Sequence, residues 1–381
     1  MRMKKSITTV AVAVGLFFAL AMFSLASYVS RHQDETLQSN TAAWARNHRL
    51  NFIVDRLESW LHSDPPPKTP ANSLSLAADE SLPTNPLLDQ QPATPIADMR
   101  RVIPINIAPV ITPALKSEGV WRPLASIDGS PVMWSTSIRP LASLGSVVAS
   151  AVVIDQSRLS AALFKGTEIP GYGPWNNYKR IMPAALPAVV AAFNGGFRFN
   201  HIKSGYFSEG RLVRPLIDGE ATFGIRADGS SDIGILGTDM FNDGTWTTLR
   251  QNLPPVIQDG EISIDRYPDA YWGSELHNVT YVMRSAICTL DDNRLLYVAV
   301  GDVNIQKLAD VLMLFKCQTA MQLDINKPLP QFVTFTQPGE SKRTGIVLDK
   351  RMGNPNRYLN NATKDFFVFF DPALLVANTI K

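Results

Sequence analysis

Arg2, Lys4 and Lys5 are followed by a run from Ser6 to Ser30 that contains no charged residue. In lipid such a run has to be helical, because only a helix pairs all its peptide groups within one segment. At 1.5 Å per residue it reaches on the order of 35 Å, enough to cross a hydrocarbon core. The positive cluster ahead of it favours the cytoplasmic side, which puts everything after Arg31 outside. Ser24-Leu25-Ala26 has the small residues of a cleavage site, but the apolar run is longer than an ordinary signal core. Residues 1–30 are therefore expected to be an uncleaved, single-pass transmembrane anchor, with a cleaved signal segment as the rival. On either reading the rest of the chain is exported, to a periplasmic or extracellular face of the cell envelope. No later stretch is long and apolar enough to cross a bilayer.

Downstream, Trp44, Leu50, Ile53, Val54, Leu57, Trp60 and Leu61 recur near helical spacing and predict one amphipathic helix over 41–63, which could lie on the membrane surface, pair with a partner or, by default, pack on its own domain. Pro65-Pro66-Pro67 stops it. Residues 64–115 are rich in Pro, Ser, Ala, Asp and Gln and cannot bury enough surface to offset their ordering entropy, so they read as an extended or disordered Pro-rich linker. A formal net charge of +2, with no stripe of Lys and Arg, gives no footprint for nucleic acid. The two cysteines, Cys288 and Cys317, allow at most one disulfide and are expected to be buried free thiols.

Residues 116–381 carry the folded domain. The stretches 146–154, 159–165, 188–193, 221–226, 281–289, 295–300, 319–323 and 366–370 are rich in Val, Ile, Phe and Tyr and bounded by Gly, Asn, Asp or Pro, which predicts strands. Ala227-Asp228-Gly229-Ser230 and Asp291-Asp292-Asn293 are turns between antiparallel neighbours. One helix is clear: Asn304 caps it, and Ile305, Leu308, Ala309, Leu312 and Phe315 form its apolar face. The fold class is thus α+β, a mixed β-sheet core with a few flanking helices, preceded by the transmembrane helix and the Pro-rich linker.

If the strands at 295–300 and 319–323 share a sheet, the helix between them makes a parallel crossover and both strands end at one edge. Asp302 and Asp324 stand at those ends, where ligands of open sheets collect. The strand at 188–193 runs into Asn194-Gly195-Gly196-Phe197, whose glycines let backbone amides turn toward an anion, although a plain tight turn reads equally well. Arg284, inside an apolar strand, is either a structural ion-pair partner or a guanidinium that grips phosphate or carboxylate. A serine hydrolase is disfavoured, since His201 and His277 are the histidines left outside the N-terminal region and no Gly-x-Ser-x-Gly occurs. Those histidines are also too isolated for a zinc site. Trp175 and Trp272 lie in expected loops, where they could stack on sugar rings.

The series Ala192-Phe193-Asn194-Gly195-Gly196-Phe197, Gly205-Tyr206-Phe207, Glu209-Gly210-Arg211, Phe223-Gly224-Ile225, Gln258-Asp259-Gly260-Glu261, Arg284-Ser285-Ala286-Ile287 and Ala320-Met321-Gln322-Leu323-Asp324 resembles the phosphodiester glycosidase family, the N-acetylglucosamine-1-phosphodiester α-N-acetylglucosaminidase-like enzymes with their bacterial, exopolysaccharide-related branch. Family members carry Leu-Asp-Gly-Gly-Gly-Ser where this chain has Leu323-Asp324-Ile325-Asn326, so the aspartate is kept and the glycine loop is not. The resemblance implies hydrolysis of a sugar-1-phosphodiester. Asp324 would act as base or stabiliser with Asp302 as its partner. Arg284 and the amides of Gly195 and Gly196 would hold phosphate, and Asn194 with Asn326 would orient sugar hydroxyls. The alternative is a non-catalytic envelope protein that binds glycan or supports exopolysaccharide export. The expected partners are a glycan or sugar-phosphate substrate and the membrane, with no nucleic acid. No cofactor is called for, and a divalent cation is left open.

Overall fold

The computed structural model describes residues 2–32, 36–74, 103–272, 280–336, 343–376 and 379–380. The chain divides into two compact units, Met1–Trp60 and Leu61–Lys381. In the first, α1 (Arg2–Arg31) is followed by α2 (Leu37–Asn47), whose N-terminus is capped by the Thr36 hydroxyl accepting from the Ser39 amide at 3.1 Å. Periodicity predicts one helix over 41–63, but the structure has two, α2 and α3 (Asn51–Leu61). The break has a local cause. Arg49 takes a left-handed φ of 64°, and the Leu50 amide turns back to the Ala45 carbonyl.

The second unit holds three antiparallel sheets. The largest has the order β1 (Arg122–Ile127), β2 (Ser130–Ile138), β3 (Ala149–Ile154), β14 (Leu295–Val303), β13 (Val282–Thr289), β15 (Ala320–Ile325), β11 (Ile257–Gln258), β12 (Glu261–Ile262). The second runs β7 (Arg211–Arg214), β6 (Tyr206–Ser208), β10 (Trp246–Gln251), β8 (Ala221–Arg226), β9 (Ser231–Ile235). The third runs β17 (Gly345–Val347), β16 (Phe332–Phe335), β5 (Val189–Asn194), β18 (Phe366–Phe370), β4 (Ser160–Phe164). The class is the expected α+β, with the eight expected strands present and their ladders antiparallel. β14 and β15 do run in one direction through one sheet, but β13 lies between them and pairs antiparallel with both.

Strand alternation sorts the side chains into layers. Met283 and Ile287 of β13 enter a core shared by all three sheets, centred on Phe193, whose ring lies 5.2 Å from Phe367, 5.6 Å from Tyr297 and 6.0 Å from Phe332. Ala286 and Cys288 of the same strand face the opposite way, under α4 (Ile305–Leu314). Asn304 caps α4 by accepting from the Lys307 amide at 2.9 Å, and Ile305, Leu308, Ala309 and Leu312 are buried, as the pattern requires. Trp272 is buried in this layer, which removes it as a sugar platform.

One expectation needs correction here. Cys288 and Cys317 form a disulfide, with Cα atoms 5.7 Å apart, instead of remaining free thiols. The register explains it: Cys288 lies opposite Ala320 on β15, so the chain returning from α4 passes beside it at Cys317. The described flanks of the Pro-rich segment, without regular structure, are bonded to the folded domain, while its middle, 75–102, lies outside the described residues. Pro67 and Ala71 bond to Ser146 and Gly145, and Ile107 to Gly119. Arg139 clips both flanks, donating to the carbonyls of Ala71, Ile111 and Pro113 while paired at 2.7 Å with Glu118. Burial alone would raise the Glu118 carboxyl, but the bonds from Arg139 and from the amides of Leu115 and Arg139 hold it below its ordinary value. Arg139→Ala strands that carboxylate and three carbonyls, so it should destabilise the domain by about 3 kcal/mol, read as a lower midpoint in urea unfolding at unchanged slope. An unshifted midpoint would mean that the flanks are not fastened this way.

Candidate functional site

Strands from two sheets meet at one place. The C-terminal end of β5 carries Asn194, and β13 presents Ser285. Asn194 uses its whole polar inventory inside the protein. Its Nδ2 donates to Gly195 O at 3.1 Å and Ser285 Oγ at 3.0 Å, and its Oδ1 accepts from Tyr297 Oη and Gln331 N, both at 2.9 Å. Ser285 Oγ donates to the Asp324 carbonyl at 2.8 Å, and the Asp324 amide donates to Gly195 O at 3.2 Å. Asn194 thereby sets Asp324 rather than presenting free donors to a ligand.

Asp324 is aimed by a bulge. Ala286 faces Gln322, but two residues earlier Arg284 faces Ile325, three residues later, so β15 carries one extra residue between these pairs. Ile325 takes the place opposite Arg284 and packs in the layer under α4. The Asp324 carboxylate, 3% exposed as a residue, turns instead to Lys364, just ahead of β18, and pairs with its ammonium group. Burial pushes the Asp324 carboxyl above the ordinary aspartate value, against the opposing pull of Lys364, Arg198 and Arg357. One buried carboxylate therefore lies in the field of three cations.

The surrounding side chains are fixed by close backbone approach. A Cβ on Gly195 would meet both O and Oδ1 of Asp365 at 2.7 Å, and one on Gly196 would collide with Asn252 Oδ1 and come within 3.0 Å of Arg250 Nη2. Glycine is required at both positions for that reason. Asp365 pairs at 2.7 Å with Arg250 of β10, both side chains fully buried, and Arg250 also donates to the Gln251 and Phe197 carbonyls. Arg198 follows the glycines and pairs with Glu168, whose amide donates to Thr363 O at 2.8 Å, one residue before Lys364. Beside it Glu209 of the turn after β6 pairs with buried Lys165 at 2.6 Å and accepts from the Asn176 and Asn177 amides.

Of the residues singled out from sequence, Asn194, Gly195, Gly196 and Asp324 come together. Arg284 does not join them: its guanidinium is fully buried on the α4 side, donating to the Val303 and Thr280 carbonyls and to Gln322 Oε1. Asp302 is at an exposed rim, its side chain 56% exposed and 4.0 Å from Lys327 Nζ. Asn326 is half-buried in a left-handed turn (φ 69°), its amide donating to Met283 O. The Gly195 amide is bonded to the Asp365 carbonyl at 3.0 Å, so it does not point at a ligand. Trp175 is half-buried, its indole N–H bonded to Gly171 O and its ring 5.3 Å from the Arg211 guanidinium. Among the described residues no group of three or more His, Cys, Asp or Glu side chains is arranged to hold a metal ion.

Sequence reasoning missed Lys364, Asp365, Arg357, Arg198 and Arg250. Lys364-Asp365 carried a signal in standing directly before the all-apolar Phe366–Phe370, and Arg198 in following the Asn-Gly-Gly-Phe turn. Arg250 lies in a strand whose polar composition, Trp-Thr-Thr-Leu-Arg-Gln, hides its burial.

Comparison with known proteins bears on this arrangement. Residues 187–324 match the model of the phosphodiester glycosidase family. No curated protein matches the chain. Among solved structures, the catalytic domain of zebrafish N-acetylglucosamine-1-phosphodiester α-N-acetylglucosaminidase, auto-inhibited by its pro-peptide, is 18% identical, with 73% of this chain and 94% of that chain covered and a TM-score of 0.43. A protein from Synechocystis is 10% identical, with 64% and 63% covered and a TM-score of 0.42. The family match runs from just before β5 to Asp324 itself, so it contains Asn194, Gly195, Gly196, Arg198, Arg250 and Asp324, while Arg357, Lys364 and Asp365 come from outside it. Over residues 187–324 the chain is thus similar to the phosphodiester glycosidase family.

Proposed function

We propose that the protein hydrolyses a sugar-1-phosphodiester in the cell envelope, with the Asp324 carboxylate activating water or stabilising an oxocarbenium-like transition state. Lys364, Arg198 and Arg357 attract the phosphate. The observation that carries this reading is the buried Asp324 carboxylate, paired with Lys364 beside the Asn194-Gly195-Gly196 turn and within reach of the fields of Arg357 and of Arg198, itself paired with Glu168. A phosphodiester supplies the negative charge that such a site accommodates. Water adds to the anomeric carbon, the bond from that carbon to the phosphate oxygen breaks, and the phosphate departs with the electron pair. Its second pKa of about 6 makes it a better leaving group than an ordinary sugar alcohol, so little general-acid help is needed.

The other residues take supporting parts on this reading. Asn194 and Ser285 are positioning residues that act through the backbone of Asp324. Arg284 fixes the end of β14 to β13. Asp302 and Asn326 stand at the rim, available to sugar hydroxyls. Ile325, which replaces the family's glycine, packs under α4 and adds no bulk beside the Asp324 carboxylate. That favours turnover over glycan binding without reaction. For location, α1 is an uncleaved anchor and the domain lies outside the cytoplasm, a reading supported by the Cys288–Cys317 disulfide, which persists in oxidising compartments.

The full chain in detergent should release a phosphomonoester and free sugar from a nucleotide-sugar or a synthetic sugar-1-phosphodiester. Asp324→Asn should lower kcat/KM by about 10²–10⁴-fold. An unchanged rate would remove Asp324 from the chemistry. The acid limb of the pH profile should lie above the ordinary aspartate value of 3.8, because burial disfavours the ionised form. Arg198→Ala withdraws a cation that favours ionisation, so the limb should move to still higher pH. A limb that stays in place or moves down would contradict the assignment.

A further inference from the structure

We propose that α3 is an interfacial helix whose exposed apolar face rests in the headgroup region of the membrane surface from which α1 emerges. The proposal goes beyond the catalytic reading and rests on α1 lying in the bilayer. In α1 the large apolar side chains Leu16, Phe17, Phe18, Leu20, Met22 and Phe23 are all exposed, at 60–75%. Beyond them the surface changes: Tyr28 and His32 are buried. The run of exposed large apolar side chains therefore ends at Phe23, and from Ser24 to Ser30 all but Ala26 and Ser30 are at least partly covered.

What covers the remainder is α2. Trp44 Nε1 donates to Ser24 Oγ at 3.1 Å, and Asn40 Nδ2 donates to the His32 carbonyl at 2.8 Å. Pairing 44 with 24 and 40 with 32 means that α2 runs antiparallel to α1, back toward the membrane. From Trp44 to the end of α2 at Asn47 is three more residues, about 4.5 Å at the helical rise. The α2 C-terminus is thus delivered to the level of Leu20–Phe23. There the left-handed Arg49 turns the chain, and the Ile53 amide bonded to Leu50 O opens α3 at the same depth.

On α3, Phe52, Ile53 and Leu57 are exposed at 71%, 44% and 52%, within one face of the helix. In water this face has no favourable solvent. At the depth set by α2 it meets the boundary of acyl chains and headgroups, where apolar faces of this kind bury. At about 100° per residue Arg56 falls between Phe52 and Ile53 on this face, where its long apolar stem can lie along the surface with the charged head at headgroup level. The indole of Trp44, bonded to Ser24, sits at the same boundary, where tryptophan is enriched.

The test uses the full chain in phospholipid vesicles at low protein density, with an environment-sensitive fluorophore on one introduced cysteine, Cys288 and Cys317 being paired. Labels on Phe52→Cys and Leu57→Cys should lose emission with lipid carrying a nitroxide near the headgroup and keep it with aqueous iodide. A label on exposed Lys68→Cys should behave in the opposite way. Quenching of the Leu57 label by iodide to the extent seen at Lys68 would put the face in water and overturn the proposal. Shielding from both quenchers would mean that protein covers it, which overturns it equally. A label on Leu16→Cys should respond to nitroxide deep in the acyl chains. Failure there would remove the anchor on which the proposal rests, and it leaves the catalytic reading untouched.

Discussion

The ion pair between Arg250 and Asp365 is the constraint on which the site depends. Arg250 stands on the second sheet and Asp365 at the entry to the third, and both side chains are fully buried at 2.7 Å. Through Arg250 the pair reaches the Phe197 carbonyl beyond β5, and the neighbouring Asn252 bonds both the Phe197 amide and the Gln322 carbonyl of the first sheet. Three sheets are thereby fixed in relation to the Gly195–Gly196 turn. Removing either charge leaves the other buried without its partner, a loss of about 3–5 kcal/mol in comparable cases. The glycines follow from the pair, since a Cβ at either would occupy the space of Asp365 or Asn252.

A second device determines where the chemistry points. Without the extra residue in β15, Asp324 would fall opposite Arg284 and face α4, on the wrong side of the sheet. The bulge exchanges the two faces, turning Ile325 inward and Asp324 toward Lys364. Bulges commonly re-aim one side chain in this way. Burial then raises the proton affinity of the carboxyl, and three neighbouring cations oppose that rise. Perturbation of this kind, burial opposed by neighbouring charge, is common at functional sites and in structural ion-pair networks alike.

The strands were legible because their interiors are nearly all apolar and their ends carry turn residues, and α4 was legible from its cap and stripe. β1, β2, β6, β7, β9, β10, β11, β12, β16 and β17 were not, most of them being short or polar: Thr248 and Arg250 are buried by polar partners, which no hydropathy pattern reports. Asn194 and Asp324 stood at strand ends in sequence and meet in space. Arg284 was misleading, because an arginine held by backbone carbonyls looks in sequence like one held for a ligand. Lys364 and Arg357 lie far along the chain from Asp324, and only the pairing of β18 with β5 brings that region near. The disulfide depended on register, which spacing does not contain.

The central claim is that this charged junction cleaves the bond between a sugar and a phosphodiester, with water arriving at carbon. Turnover of a sugar-1-phosphodiester in water enriched in the heavy oxygen isotope, followed by mass spectrometry of both products, tests it most directly. The account predicts the heavy oxygen in the free sugar and none in the phosphomonoester. Label in the phosphate would mean attack at phosphorus, and it would contradict the role given to Asp324 and to the cations around it.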